Sequence, residues 1–162
     1  MPVGIYKQTV KDIMTKHVTT LRADDTIHYA IMMMAENDLS AIPVVDHLGK
    51  CIGMITQRDI ITEAREKDVE GLERVEAYNV LAFRGVMLDE LTNERVQDMM
   101  SEKVVGVHPD DAVTQVADKM LEQSIHHLPV MNDDNEILGI ISTMDILTGL
   151  RQATVDIASL KV

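Results

Sequence analysis

After Asp24-Asp25 the apolar residues Ile27, Ala30, Ile31 and Met34 recur at steps of three and four, which predicts a helix with one buried face. The same spacing returns at Val113, Val116, Ala117 and Met120. Each stretch leads into an apolar run with Pro near its start, AIPVVD or HLPVMN, then a polar turn, HLGK or NDDNE. A second apolar run follows, CIGMIT or EILGIIS, and the pair predicts two strands joined by a turn. Upstream lie a short amphipathic turn (VKDIM, VQDMM) and a β-branched stretch (HVTTL, KVVGV) that reads as a strand. Asp24-Asp25 and Pro109-Asp110-Asp111 stand where a helix start is expected. A further helix closes each block, so the pattern predicts β-α-β-β-α twice.

The two blocks are copies. Displaced by 86 positions, residues 10–61 align with 96–147 without a gap. Identical pairs include Asp12/Asp98, Met14/Met100, Asp25/Asp111, Met34/Met120, Pro43/Pro129, Gly53/Gly139 and Asp59/Asp145. A register held across that span marks a duplicated unit. The first repeat is read as 8–67, a charged helical connector as 68–95, the second repeat as 96–151 and a tail as 152–162. The connector's charge run reads as a solvated face.

Composition narrows the function classes. The formal net charge is -12 and the pI near 4.8, which argues against nucleic acid or an anionic membrane as partner. A small anionic ligand stays open, because screening over about 8 Å lets a few local cations decide what a pocket holds. The single cysteine, Cys51, excludes an intrachain disulfide, suits a reducing cytoplasm, and lies in an apolar strand where it is expected buried. The start MPVGIYKQ has no signal-peptide pattern, and no apolar run reaches the roughly 18 residues of a membrane span. With twelve Met, no Trp and 2% aromatics, a flat ligand would lie between Ile, Val and Met. The Met-rich stretch IMMMAE suits a core or the interface of a homodimer. No HExxH, CxxC or EF-hand spacing appears, and adjacent His126 and His127 point to opposite faces of a strand, so no metal site is expected. With no GxSxG and no P-loop, no catalysis is expected either.

The chemistry concentrates in GMITQRD (53–59) and GIISTMD (139–145). One reading is structural: Thr56-x-x-Asp59 and Ser142-x-x-Asp145 resemble capping boxes, and Gly53 and Gly139 allow close packing in a strand. The other reading is a ligand cradle. A strand that ends at a helix N-terminus offers amides and a positive dipole end to a phosphate. The carboxylate one turn along can accept both hydroxyls of a ribose, and glycine lets a base or sugar approach the backbone.

These segments resemble CBS domains, and the whole resembles a stand-alone CBS-domain pair, or Bateman module. The likeness rests on VKDIMT and VQDMMS, AIPVVD and HLPVMN, GMITQRDI and GIISTMDI, and covers roughly residues 8–150. It implies a mixed α/β (α+β) fold of two β-α-β-β-α repeats packed sheet to sheet about a pseudo-twofold axis. It also implies two clefts between them that bind AMP, ADP or ATP, or S-adenosylmethionine, for sensing rather than catalysis, with signalling to an effector protein. The resemblance places Asp59 and Asp145 on ribose hydroxyls and Thr56 and Ser142 on ribose or phosphate, and adds Gly53, Gly139, Pro43, Pro129 and Arg58 to the lining. IHHLPV is similar to the IHRLPV-type segment of the AMP-activated kinase γ subunit, which assigns His126 and His127 to the phosphate of the ligand held by Asp59. Histidine stands here where arginine is usual. The first repeat has Ser40-Ala41 at the same place, and Met144 replaces Arg58 beside Asp145, so the two clefts are expected to be unequal, with the Asp59 cleft the better phosphate binder. Phosphate affinity is expected to rise as pH falls toward 6. A ligand-independent docking module and a divalent-cation sensor are the alternatives.

Overall fold

The computed structural model describes residues 8–66 and 94–159. In chain order the elements are α1 (Val10–Ile13), β1 (Leu21–Arg22), α2 (Ile27–Glu36), β2 (Ala41–Val45), β3 (Cys51–Thr56), α3 (Gln57–Glu66), α4 (Val96–Met99), α5 (Val113–Gln123), β4 (His127–Met131), β5 (Ile137–Ser142) and α6 (Thr143–Ser159). Apart from Glu94 and Arg95, the connector read at 68–95 lies outside the described residues. The closing helix α6 continues to Ser159, through most of the stretch read as a tail.

Contacts divide the chain into two compact units. Residues 19–48, 52–66 and 94–104 form the unit that carries Asp59; residues 8–18, 49–51 and 105–159 form the unit that carries Asp145. In the Asp59 unit β2 lies between β1 and β3, with β1 parallel to β2 and Leu21 opposite Val44. The expected stripe on α2, Ile27, Ala30, Ile31 and Met34, is buried against Ile42, Val44, Ile55 and Ile60. In the Asp145 unit β4 and β5 pair antiparallel, with His127 opposite Ser142, and Val107 bridges Val130 in the place that Leu21 holds beside Val44. Its core joins Val10, Val107, Val116, Met120, Leu128, Val130 and Ile141.

The leading turns go to the opposite units. The α1 turn precedes the first repeat, yet Val10 is a core residue of the Asp145 unit and Thr15 pairs with Ile140 there. The α4 turn belongs to the Asp59 unit, where Val96 and Met99 are buried and Ser101 pairs with Met54. Periodicity identifies such a turn but carries no information on which sheet receives it.

Two local expectations need correction. The β-branched stretches yield only the two-residue β1 and the single bridge at Val107, because each meets a neighbouring strand over one or two residues. The aspartate pairs do not cap α2 and α5. Asp25 Oδ2 accepts from Arg22 N at 2.8 Å and Asp111 Oδ2 from His108 N at 2.9 Å, closing the turns before the helices. The α2 cap is Thr26, whose hydroxyl accepts from Tyr29 N at 3.2 Å, and α5 starts at Ala112 without a side-chain cap.

Backbone conformation repeats with the sequence. Asp38 and Ser124 both adopt left-handed geometry after their helices, with φ of 54° and 53°. Leu39 N donates to Met34 O at 2.8 Å and Ile125 N to Met120 O at 3.0 Å, the six-to-one bond of a Schellman ending. Leu39 and Ile125 then pack on their respective cores. Gly49 (φ 80°) and Asn135 (φ 63°) make the equivalent left-handed step in the strand–strand turns.

Candidate ligand-binding site

In both units a strand passes into a helix with no intervening loop: Thr56 ends β3 and Gln57 opens α3, while Ser142 ends β5 and Thr143 opens α6. Both capping boxes form. Asp59 Oδ2 accepts from Thr56 N at 2.8 Å and from Thr56 Oγ1 at 2.7 Å, and Asp59 N donates back to Thr56 Oγ1 at 3.2 Å. Asp145 Oδ2 accepts from Ser142 N and Ser142 Oγ, both at 2.7 Å, and Asp145 N donates to Ser142 Oγ at 3.2 Å. The first helical amide is taken as well: Gln57 N donates to Ser40 O at 3.0 Å and Thr143 N to His126 O at 3.1 Å. Each floor is thereby tied to the strand beginning beside it.

What is left over defines the chemistry. Among the described residues, Oδ1 of Asp59 and of Asp145 makes no hydrogen bond, and neither does the second helical amide, that of Arg58 or Met144. The half-buried carboxylate oxygen can accept from a hydroxyl while the open first-turn amide beside it donates to an oxyanion. Both Arg58 and Met144 side chains are exposed, Met144 to 65%.

The glycines hold a different neighbour from the one the cradle reading gives them. A Cβ on Gly53 would stand 2.7 Å from Met100 Sδ and 3.0 Å from Ser101 O; on Gly139 it would stand 2.6 Å from Met14 Sδ and 2.9 Å from Thr15 O. Both glycines therefore seat a methionine from a leading turn, whose following residue pairs with the strand: Ser101 N donates to Met54 O and Thr15 N to Ile140 O, each at 2.9 Å. Sequence reading aligned Met14 with Met100 but tied neither to a glycine. The signal was the matched spacing of both pairs.

Pro43 and Pro129 are buried inside β2 and β4. Pro129 O accepts from Val107 N at 3.1 Å, and Met131 N donates to Val107 O at 2.9 Å. Pro129's missing N–H faces the side on which that neighbour supplies one residue, so no ladder bond is lost. His126 and His127 lie in the unit of Ser142 and Asp145. His126 is exposed, and His127 is half-buried at the start of β4. Burial holds the His127 imidazole below its usual pKa, His126 pushes it the same way, and Asp145 opposes them. Its protonation thus begins at a lower pH than the sequence suggests. Cys51 is buried, as expected. Among the described residues no group of three or more His, Cys, Asp or Glu is placed to hold a metal, and no helix is long and apolar enough to cross a membrane.

The CBS domain profile matches residues 10–66 and 96–152. The chain belongs to the CBS family. An uncharacterized protein from Methanocaldococcus jannaschii is 28% identical over 152 residues, covering 87% of this chain and 90% of that one. An inosine-5′-monophosphate dehydrogenase from the same organism is 29% identical over 136 residues, covering 84% of this chain but 22% of that enzyme. A CBS domain pair solved in complex with 5′-methylthioadenosine and S-adenosyl-L-methionine matches with a TM-score of 0.68 at 26% identity, covering 87% of this chain and 94% of that one. CBS domain pairs are typically regulatory, not catalytic.

Proposed function

We propose that this CBS pair is a regulatory sensor that binds an adenine nucleotide (AMP, ADP or ATP) and relays its occupancy to an effector protein. The observation that carries the reading is the duplicated floor. Each one offers a half-buried carboxylate with Oδ1 uncommitted and an open amide at a helix start, which suits a ribose joined to a phosphate. The adenosyl compounds bound by the solved relative support the same class of ligand. No chemical step is involved. The ligand acts by preferring one of two arrangements, and only that preference can be transmitted. A homodimer is part of this proposal, its contact supplied by helix faces such as that of Met32, 41% exposed on α2.

The test is calorimetric titration of refolded, nucleotide-stripped protein with AMP and ATP, beside Asp59→Ala. Saturable binding that weakens in the variant is the expected result. A ligand at 100 times its Kd should also stabilise the fold by about 2.7 kcal/mol. Absence of binding by AMP and ATP in folded protein would overturn the adenine-nucleotide reading.

One observation favours a second reading, a ligand-independent docking module. The capping boxes close and the glycine seats fill without any ligand. Met144, Leu147 and Leu150 on α6, spaced for one face, are exposed as well. Such a module would ignore nucleotide in the same titration.

A further inference from the structure

The segments that carry α1 and α4 are held much as bound peptides are, by main-chain hydrogen bonds. In the Asp145 unit Val10 N donates to Asp111 O at 3.0 Å, Lys11 N to Pro109 O at 2.9 Å and Val113 N to Gln8 O at 3.1 Å. Thr15 and Ile140 exchange two more bonds, both of 2.9 Å. In the Asp59 unit the same five bonds recur between the aligned residues, donated by Val96, Gln97, Ile27, Ser101 and Met54 at 2.9–3.1 Å. Two side chains anchor each segment: a fully buried valine, Val10 or Val96, and a methionine on its glycine, Met14 or Met100. We propose that the seat in the Asp145 unit also takes the α1 segment of a second copy, so that two chains join by exchanging their leading turns. This exchange needs no ligand, and its contact is not the helix face proposed above for the homodimer.

The segment can leave as one piece. Past Thr15 the chain runs through residues 16–18, outside any helix or strand and with Lys16 and His17 exposed, before residue 19 opens the other unit. The β4–β5 pairing and the core around Val107, Leu128 and Ile141 lie beyond that link. An emptied seat is costly, because it vacates the place of Val10 in that core and leaves main-chain groups unpaired. A displaced segment is therefore driven to dock again.

Side chains decide where. Lys11 Nζ lies 2.6 Å from Asp110 Oδ1, and Gly149 leaves room for Ile13, whose Cγ2 would stand 3.2 Å from a Cβ at that glycine. In the Asp59 unit the aligned residues are Asp24, within 3.3 Å of Arg22 Nε, and Glu63. The α4 segment brings Gln97 and Met99 to those points, and its Arg95 Nη1 donates to Asp24 O at 2.7 Å. Each segment thus matches one kind of seat, and for a displaced α1 the alternative to its own is the Asp145 unit of another copy. The Lys11–Asp110 pair is exposed, so it selects the turn while Val10 and Met14 hold it. Tethering favours the home seat in dilute solution, and exchange grows with protein concentration.

The test mixes two full-length variants, each with Cys51→Ala to remove the native thiol. One carries Thr15→Cys and the other Ile140→Cys. Antiparallel partners that share two hydrogen bonds stand about 5.5 Å apart at Cα, within the span of a disulfide. After equilibration at high concentration and mild oxidation, the expected product is the mixed disulfide dimer, in excess of what random pairing of thiols gives. Adding Lys11→Glu to the first chain and Asp110→Lys to the second sets like charges together in both closed chains and opposite charges together after exchange. The excess should then rise about tenfold. Placing both charge changes on one chain reverses the preference and should lower it by a similar factor. Mixed dimer at the random share in the charge-swapped pair would show that α1 always closes on its own chain, and overturns the exchange. An excess that ignores the placement of the charges would arise outside this seat, and overturns it too. Should Ile140→Cys fail to fold, Thr9→Cys with Ala112→Cys gives the same readout, since those residues also pair. Nucleotide enters neither outcome, so this test and the calorimetric one fail separately.

Discussion

Asp59 Oδ2 lies 2.7 Å from Thr56 Oγ1 and 2.8 Å from Thr56 N, so one carboxylate oxygen closes the junction between strand and helix and leaves the other uncommitted. In the proposed sensor the same group would serve fold and binding. Thr56→Ala should lower stability by about 1 kcal/mol, the usual cost of a lost N-cap hydroxyl. Because Thr56 and Asp59 act as a unit, Thr56→Ala with Asp59→Ala should cost less than the two singles added. Urea unfolding of the four proteins measures this; strict additivity would show that the box contributes nothing as a pair.

Gly53 and Gly139 should tolerate no side chain. An added Cβ would meet a methionine sulfur and also a backbone carbonyl, Ser101 O at 3.0 Å or Thr15 O at 2.9 Å. Overpacking of this kind costs about 1–3 kcal/mol. Gly53→Ala should fall in that range, and Met100→Ala in the same chain should recover only part of the loss, since the carbonyl contact stays. Full recovery would place the whole conflict in the flexible side chain.

Much of this was legible in the sequence, and what was not has physical causes. The α2 stripe of Ile27, Ala30, Ile31 and Met34 announced itself because one buried face imposes its period on the residues. The capping boxes were legible because their bonds span three residues. The leading turns were not: Val10 and Val96 mark a buried position, but the sheet that covers each is a long-range choice with no local signature. Asp25 and Asp111 are ambiguous in sequence because an aspartate before a helix can cap it or close the preceding turn, and here the next residue, Thr26 in one copy, takes the cap. The left-handed helix ends at Asp38 and Ser124 have no glycine to mark them in the sequence.

That absence of glycine gives a prediction. Ser124 sits at φ 53° and ψ 41°, a region where a Cβ crowds the following carbonyl. Its backbone N–H still makes helix-end bonds, and the neighbouring Ile125 N reaches Met120 O, so the geometry must be kept. Ser124→Gly should therefore stabilise the protein by about 0.5–1 kcal/mol, the removed strain exceeding the added freedom of the unfolded chain. Thermal unfolding reads the effect, and a lower Tm would show that the entropic cost of glycine dominates at this position.

His127 should make folding sensitive to acid. Its imidazole titrates below the usual value in the folded protein, first through burial, then through His126, with Asp145 opposing. As pH falls through about 6.5 the unfolded chain takes up this proton before the folded one does, so the unfolded state binds more protons and stability declines. The decline should end once pH drops below the folded pKa, where both states carry the charge. Above about pH 7.5 the group is neutral in both and contributes no slope. His127→Gln removes this contribution and leaves those of the remaining histidines. Unfolding free energies at pH 7.5, 6.5 and 5.5 should therefore fall more steeply in the wild type than in the variant. Equal slopes would mean that His127 keeps its ordinary affinity for the proton.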